Sequence, residues 1–332
     1  RLGLKINDLL SRYQSEKTQQ LLQLFDKQEQ IALKGLSGSA LALYVASVFQ
    51  QRKGFHLLVM PDKETAAYLY NDLENLLEDV GVDYPRKKVM FYPSAYKRPY
   101  ETDHPDSANL LSRTEVIARV NSGTKDLILL SFPEALSEKI VSKKYVTDNT
   151  LMIRQDDELE QDVLLERLVN MGFSRVDFVV EPGQFALRGG LMDIFSYAYD
   201  HPYRIEFFGD EVESIRTFEP ASQLSVKKLK TAKILPNLQR QEIVERRNSF
   251  FKLMPNDCSV WIENQEFIKE KLKKGYENAV KHYEELGGEI KHLHPEELFI
   301  SGENFANDIL DYKIIYTQAK SNQKIDIQFN TE

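Results

Sequence analysis

Cysteine is almost absent from this chain of 332 residues, in which Cys258 is the single example. One thiol excludes an internal disulfide framework and a cysteine-rich zinc site. Because Cys258 lies in an apolar run, we expect a buried and unreactive side chain rather than a nucleophile. This cysteine usage favours a reducing compartment, and we predict a cytoplasmic protein.

Long apolar runs and a basic excess are also missing. No stretch reaches the roughly 20 apolar residues of a membrane-spanning helix, and no signal peptide is recognisable, so we predict no membrane partner. The net charge is -8, which argues against a generally nucleic-acid-binding surface. The basic groups Arg86-Lys87-Lys88 and Lys143-Lys144 are short and predict solvated loops.

What the chain does contain is typical of a globular protein of two or three domains, since 42% of it is hydrophobic and 28% charged. Apolar runs of strand length alternate with helical patterns, which indicates a parallel sheet covered on both faces. Asp62 is placed to cap the helix after one such strand. The predicted strands are FHLLVM (55–60), KVMFY (88–92), LILLS (127–131), CSVWIE (258–263), ELFI (297–300) and KIIYT (313–317).

The stretch KGLSGSALAL, residues 34–43, lies between a short apolar run and a predicted helix, where a phosphate-binding loop normally sits. Such a loop needs two glycines, a lysine for the terminal phosphates and a hydroxyl for Mg²⁺. Gly35 supplies the first glycine, but Ala40, Leu41 and Ala42 replace the second glycine, the lysine and the hydroxyl. We therefore predict a degenerate loop without phosphoryl transfer.

Two interpretations of this loop differ in whether it keeps any nucleotide binding. The favoured one is that Leu41 and Ala42 pack as the first turn of a core helix. The alternative is weak nucleotide binding through the backbone amides of Gly35 and Gly38.

The pattern changes near Leu151, where glycine pairs begin to separate short alternating runs, and this predicts an inserted antiparallel α+β domain at 151–236. In the strand 203–208, Ile205 and Phe207 point to one face, and the other face carries Arg204, Glu206 and Phe208. An aromatic beside an arginine on a sheet surface is typical of a binding hot spot.

A second arginine, Arg188, precedes Gly189-Gly190, whose conformational freedom suits a tight bend that would project it from the sheet. The alternative is structural: Arg204 forms a cross-strand salt bridge. The residue pattern does not choose between the binding and the structural interpretation.

Other polar residues predict no chemistry. His292 and His294 share a face of a predicted short strand, and with His282 they offer no clear third metal ligand, so we predict no metal site. The carboxylates lack a partner at a persuasive spacing, and we therefore predict neither a hydrolase nor any catalytic residue. These carboxylates are Glu181, Asp193, Glu206 and Asp210.

The segment FALRGGLMDIFSYAYDHPYRIEFFGDEVESIRTFEPASQLS, which begins at Phe185, closely resembles the N-terminal module of the bacterial transcription-repair coupling factors (Mfd), itself similar to UvrB. The resemblance extends to LLVMPDKETAAYLYNDLENLL, to FYPSAYKRPYE and to the final FNTE. It implies a degenerate RecA-like, P-loop helicase-type α/β domain with an inserted domain like UvrB domain 2. The implied domains are 1–150, 151–236, 237–318 and a connector, 319–332, to further domains.

The resemblance also implies a function. The inserted domain of both families docks UvrA, and the contact residues fall on Arg188, Arg204 and Phe208, with Glu206 expected to orient an arginine. Removing one of these side chains is expected to weaken binding by about 1 to 4 kcal/mol and leave the fold intact. UvrB clamps DNA with a long hairpin, for which 94–111 has too few residues, so lesion verification is not expected.

By the same resemblance, this segment is a scaffold that recruits UvrA for nucleotide excision repair, is not itself an enzyme and needs no cofactor. The full-length parent would be an ATP- and Mg-dependent translocase on double-stranded DNA that displaces stalled RNA polymerase, with its motor beyond this segment. An intramolecular contact would mask the UvrA surface at rest. The rival interpretation is a weak nucleotide- or DNA-binding module.

Overall fold

The computed structural model describes residues 16–96, 100, 107–197, 199–238, 246–286 and 292–329. The chain forms two compact units. The first comprises 1–94, 119–139 and 249–332, and the second comprises 95–118 and 140–248. Part of the stretch 94–111 lies outside the described residues.

Strands and helices are numbered here in chain order over the described residues. The strands are β1 (Gln30–Lys34), β2 (Phe55–Val59), β3 (Val89–Phe91), β4 (Leu127–Ser131), β5 (Ile140–Val141), β6 (Leu151–Arg154), β7 (Ser174–Arg175), β8 (Gln184–Arg188), β9 (Leu191–Ile194), β10 (Tyr203–Phe208), β11 (Glu211–Phe218), β12 (Ser225–Leu229), β13 (Thr231–Ile234), β14 (Arg247–Asn248), β15 (Ser259–Ile262), β16 (Lys313–Tyr316) and β17 (Ile327–Gln328). The α-helices are α1 (Glu16–Phe25), α2 (Ser39–Gln51), α3 (Lys63–Leu76), α4 (Ser107–Asn121), α5 (Pro133–Ser137), α6 (Lys143–Asp148), α7 (Gln161–Asn170), α8 (Gln265–Glu285), α9 (Pro295–Leu298) and α10 (Gly302–Asp308).

The first unit is built on a seven-stranded sheet in the order β17-β1-β16-β15-β2-β4-β3. Every pairing in it is parallel. All residues of β2, β4 and β15 are buried, as expected of strands covered on both faces. The predicted parallel-sheet α/β fold is confirmed.

Capping residues explain where two helices of this unit begin. Asp62 accepts a hydrogen bond from the backbone N–H of Thr65 at 2.8 Å, which confirms the predicted cap of α3. His294 and Glu297 form a reciprocal capping box at α9, with Pro295 in the first turn. The predicted strand ELFI is therefore wrong, because its first two residues complete this short helix.

The C-terminal stretch predicted as a connector contributes to the same sheet. Strand β17 pairs in parallel with the end of β1, through Leu33 with Ile327 and Lys34 with Gln328. The edge of the sheet beside the glycine loop is thus covered by residues that are nearly 300 positions away, a contact that local periodicity does not reveal.

The second unit contains a six-stranded sheet in the order β12-β11-β10-β9-β8-β7. Its pairings are antiparallel except that of β7 with β8. One face packs with helix α7 around a core that includes Leu164, Phe185, Ile194, Tyr203 and Ile205. Residues 140–150 belong to this unit because β5 pairs with β14, and β6 pairs with β13.

Candidate functional site

The glycine loop at the end of β1 joins that strand to α2 and is followed by buried apolar side chains. Gly35 and Gly38 both have positive φ, +85° and +57°, and α2 begins directly after them at Ser39. Leu41 and Ala42 are buried in the first turn of α2, and Ala40 is half-buried. Buried apolar side chains thus occupy the positions at which a phosphate-binding loop has its lysine and its hydroxyl.

Phe329, which follows strand β17, packs against this loop. The N–H of Phe329 donates to the carbonyl of Lys34 at 2.8 Å, and the Phe329 ring meets Tyr44 edge-on at 4.9 Å. A Cβ atom on Gly35 would lie 2.4 Å from the Phe329 carbonyl oxygen. The backbone that leaves β17 therefore lies directly against the loop.

The same sheet has a cavity of about 300 Å³ at the N-terminal ends of the strands β2, β15 and β16. Gly54, Cys258 and Lys313 are among the residues that line it. His56 lines it, and its Nδ1 accepts a hydrogen bond from Trp261 Nε1 at 3.1 Å. Burial lowers the pKa of His56 to about 4. The cavity thus lies at the opposite end of the strands from the glycine loop.

Cys258 is buried as predicted. Burial raises the pKa of its thiol well above the ordinary value, so the thiolate that a nucleophile needs is disfavoured.

Strand β10 of the second unit presents the predicted pattern. Ile205 and Phe207 are buried, Arg204 and Glu206 are half-buried, and Phe208 is exposed. The irregularity beside Glu206 and Phe207 places its extra residue on β11, so the alternation along β10 is kept. The three predicted side chains therefore share the face of the sheet opposite the core, which we call the outer face.

Asp193 organises the two predicted arginines on the outer face. It lies directly opposite Arg204 in the pairing of β9 with β10, and it is 1% exposed. Its Oδ1 and Oδ2 accept from Arg204 Nε and Nη2 at 2.8 Å each, and Oδ2 also accepts from Arg188 Nη2 at 2.6 Å. The cross-strand salt bridge that the sequence left open is thus present, with a carboxylate that the sequence analysis had set aside.

Arg204 is enclosed on its other sides. Its Nη2 also donates to Gln223 Oε1 at 2.7 Å, and its guanidinium carbon lies 4.1 Å from the centre of the Phe218 ring. The hydrogen bonds to Asp193 raise the pKa of Arg204. An arginine so engaged contributes to the stability of the domain, so we expect its removal to be destabilising.

Arg188 is the more accessible of the two arginines. The predicted tight bend is present, because Gly189 has φ +62° and Arg188 pairs with Leu191 across the turn. Arg188 does not project freely: besides Asp193 it donates through Nη1 to the carbonyl of Asp177 at 2.8 Å. Its side chain is nevertheless 35% exposed.

Glu206 accepts hydrogen bonds from side chains of β11, and the charge of Arg204 also acts on it. Arg216 Nη1 lies 2.9 Å from Glu206 Oε2, and the Ser214 hydroxyl donates to the same carboxylate. Hydrogen bonds from Arg216, and then from Ser214, lower the pKa of Glu206. The arginine that Glu206 orients is therefore Arg216, which the sequence analysis did not single out.

Apolar side chains accompany the charges of the second unit. Phe208 is 78% exposed, a high value for a phenylalanine in a β-strand. Further large apolar side chains that are exposed in this unit are Met152, Val163, Val169, Phe178, Val180, Leu224 and Val226.

The described residues contain no group of three His, Cys, Asp or Glu side chains arranged to hold a metal ion. His282 Nδ1 contacts the carbonyl of Asn278, and His294 caps α9. Over the same residues, every helix is too short or too polar to cross a membrane.

Comparison with known proteins matches the second unit to a family. Residues 151–239 match the model of the UvrB interaction domain. All four residues predicted to bind a partner lie within these limits.

Whole-chain comparison finds relatives of two kinds. The chain is 31% identical to the transcription-repair-coupling factor of Myxococcus xanthus, over 63% of this chain and 17% of the relative. It is also 31% identical to that of Bacillus subtilis, over 61% of this chain and 17% of the relative. The UvrABC system protein B of Vibrio parahaemolyticus is 29% identical over 65% of this chain and 34% of its own length.

The chain thus spans about a sixth of the transcription-repair-coupling factors that it matches. Residues 151–239 match the UvrB interaction domain family, in a chain that is similar, over about three fifths of its length, to transcription-repair-coupling factors.

Proposed function

We propose that this chain is the UvrA-recruiting module of a transcription-repair coupling factor and acts in nucleotide excision repair. The partner binds the outer face of the six-stranded sheet, at Arg188, Arg204, Glu206 and Phe208. The observation that carries the proposal is the exposed Phe208 ring on the same face as the arginine cluster, within the residues matched to the UvrB interaction domain. Aromatic and arginine side chains are the types most enriched in binding hot spots.

The four residues have unequal parts in this binding. Phe208 inserts into an apolar pocket of the partner, because it is exposed and contributes little to the core. Arg188 offers its partly exposed guanidinium to a carboxylate of the partner. Arg204 and Glu206 hold the strand surface in place through Asp193 and Arg216.

The first unit serves as a scaffold without ATP turnover or a cofactor of its own. This part of the proposal is supported by the burial of Leu41 and Ala42 and by the Phe329 backbone against Gly35. ATP, Mg²⁺, double-stranded DNA and RNA polymerase are partners of the longer parent protein, a translocase whose motor lies outside this segment. Within that parent, an intramolecular contact masks the outer face until DNA is engaged.

The test is a calorimetric titration of UvrA from the same organism into the chain and into its Phe208→Ala form. We expect the substitution to weaken the Kd by at least about 30-fold, which is the threshold of a hot spot. Circular dichroism and thermal unfolding should remain those of the unmodified chain, because Phe208 is exposed.

A matched control is Phe267→Ala, which removes a partly exposed phenylalanine from α8 in the first unit and should leave the Kd unchanged. Absence of binding by the unmodified chain would refute the proposed function. Binding of double-stranded DNA that weakens steeply with salt would instead support the rival module.

A further inference from the structure

The segment 176–181, between β7 and β8, holds an exposed phenylalanine in a fixed position on the second unit. Val179 is buried against Ala186 and Phe195, so the middle of the segment is anchored to the sheet. Gln184 Oε1 accepts from the N–H groups of Val180 and Glu181, at 2.9 and 3.2 Å. A segment held by both a buried side chain and its backbone is preorganised for contact.

The side chain of Phe178 points from this segment toward solvent and is 62% exposed. The guanidinium carbon of Arg188 lies 4.8 Å from the centre of its ring, within the range of a cation–π contact. The same arginine donates to the carbonyl of Asp177, the preceding residue. Arg188 therefore fixes both the ring and the backbone that carries it.

The contact with Arg188 joins Phe178 to the arginine cluster of the outer face. From Phe178 the chain of contacts runs through Arg188 to Asp193 and on to Arg204. It ends at Gln223, which accepts from Arg204 and precedes the exposed Leu224. An exposed apolar side chain thus lies beside each end of this network: Phe178 next to Arg188, and Leu224 next to Gln223.

We propose that Phe178 is a second aromatic contact residue of the UvrA-binding surface, positioned by Arg188, and that this surface extends along the network to Leu224. The inference rests on the proposed function and enlarges its site beyond the four residues given above. The complementary surface of the partner has an apolar pocket for Phe178 and a carboxylate opposite Arg188. A carboxylate fits because Asp193 is one negative charge shared by two guanidinium groups.

The experiment compares UvrA titrations of the unmodified chain with those of Phe178→Ala, Phe208→Ala and the control Phe267→Ala. We expect Phe178→Ala to weaken the Kd by at least about tenfold, with unchanged thermal unfolding, and Phe267→Ala to have no effect. Leu224→Ala tests the other end of the network and should also weaken binding.

Positioning by Arg188 is tested with Arg188→Ala and the double variant Phe178→Ala/Arg188→Ala. If Arg188 holds the ring, the double variant should lose less affinity than the product of the two single losses. Equal Kd values for Phe178→Ala and the unmodified chain, alongside a clear loss in Phe208→Ala, would overturn this inference alone. Failure of the unmodified chain to bind would overturn both proposals.

Discussion

The carboxylate of Asp193 accepts hydrogen bonds from both Nε and Nη2 of Arg204, at 2.8 Å each, across neighbouring strands. Arg188 donates to the same carboxylate, so one buried charge organises both arginines of the proposed binding surface. Binding and folding are consequently linked at this site, and alanine variants here report on both.

Arg204→Ala is expected to lower the free energy of unfolding by about 3 kcal/mol, because it removes the bidentate partner of a buried carboxylate. Urea denaturation measures the change. The control is Arg175→Ala, at an exposed position of β7, which should change stability by less than about 0.5 kcal/mol. An equal, small effect of both substitutions would contradict the structural part given to Arg204.

Restoring the sequence of a phosphate-binding loop is expected not to restore its chemistry. The triple variant Ala40→Gly, Leu41→Lys, Ala42→Ser places a lysine at a buried position and should cost about 2 to 4 kcal/mol of stability. We expect no phosphate release from ATP and no thermal stabilisation by ATP with Mg²⁺. Stabilisation by the nucleotide, in this variant or in the unmodified chain, would show that the loop is accessible.

Gly35→Ala is expected to be destabilising by more than about 2 kcal/mol. The new Cβ would meet the Phe329 carbonyl oxygen at 2.4 Å, in addition to the cost of a positive φ. Gly123→Ala separates the two effects, because Gly123 has φ +80° and open space around its Cβ position. Gly35→Ala should therefore lower the thermal unfolding temperature more than Gly123→Ala does. Similar decreases for the two variants would mean that the Phe329 backbone moves aside at little cost.

His56 is expected to make the first unit sensitive to acid. Its pKa is about 4 in the folded chain against 6.5 for an ordinary histidine, so the unfolded state takes up a proton first as the pH falls. The folded state therefore has its full stability with respect to His56 above pH 6.5, and its free energy of unfolding falls progressively between pH 6.5 and 4. The shift corresponds to about 3 kcal/mol.

The measurement for His56 is urea denaturation across pH 4 to 7, with His56→Gln as the comparison. Glutamine does not titrate and keeps an acceptor for Trp261, so the pH dependence of its unfolding free energy should be shallower. Parallel pH profiles for the two proteins would contradict the lowered pKa of His56.

The sequence predicted the faces of β10 correctly because alternation is a local property, and the irregular residue falls on β11 instead. It did not predict that Asp193 serves two arginines, since that depends on the register between β8, β9 and β10. Phe178 follows no periodic pattern and became visible only through its contact with Arg188. The helix at ELFI was missed because a capping box outweighed the apolar pattern.

Leu41, buried in the first turn of α2, and Phe329, seated against Gly35, also limit what a single substitution in the loop can achieve. A mutation to lysine at position 41 alone would bury a charge with no phosphate to receive it. Moving the Phe329 segment away alone would expose apolar surface without creating a binding group. Each single change therefore lowers stability without creating a nucleotide-binding group.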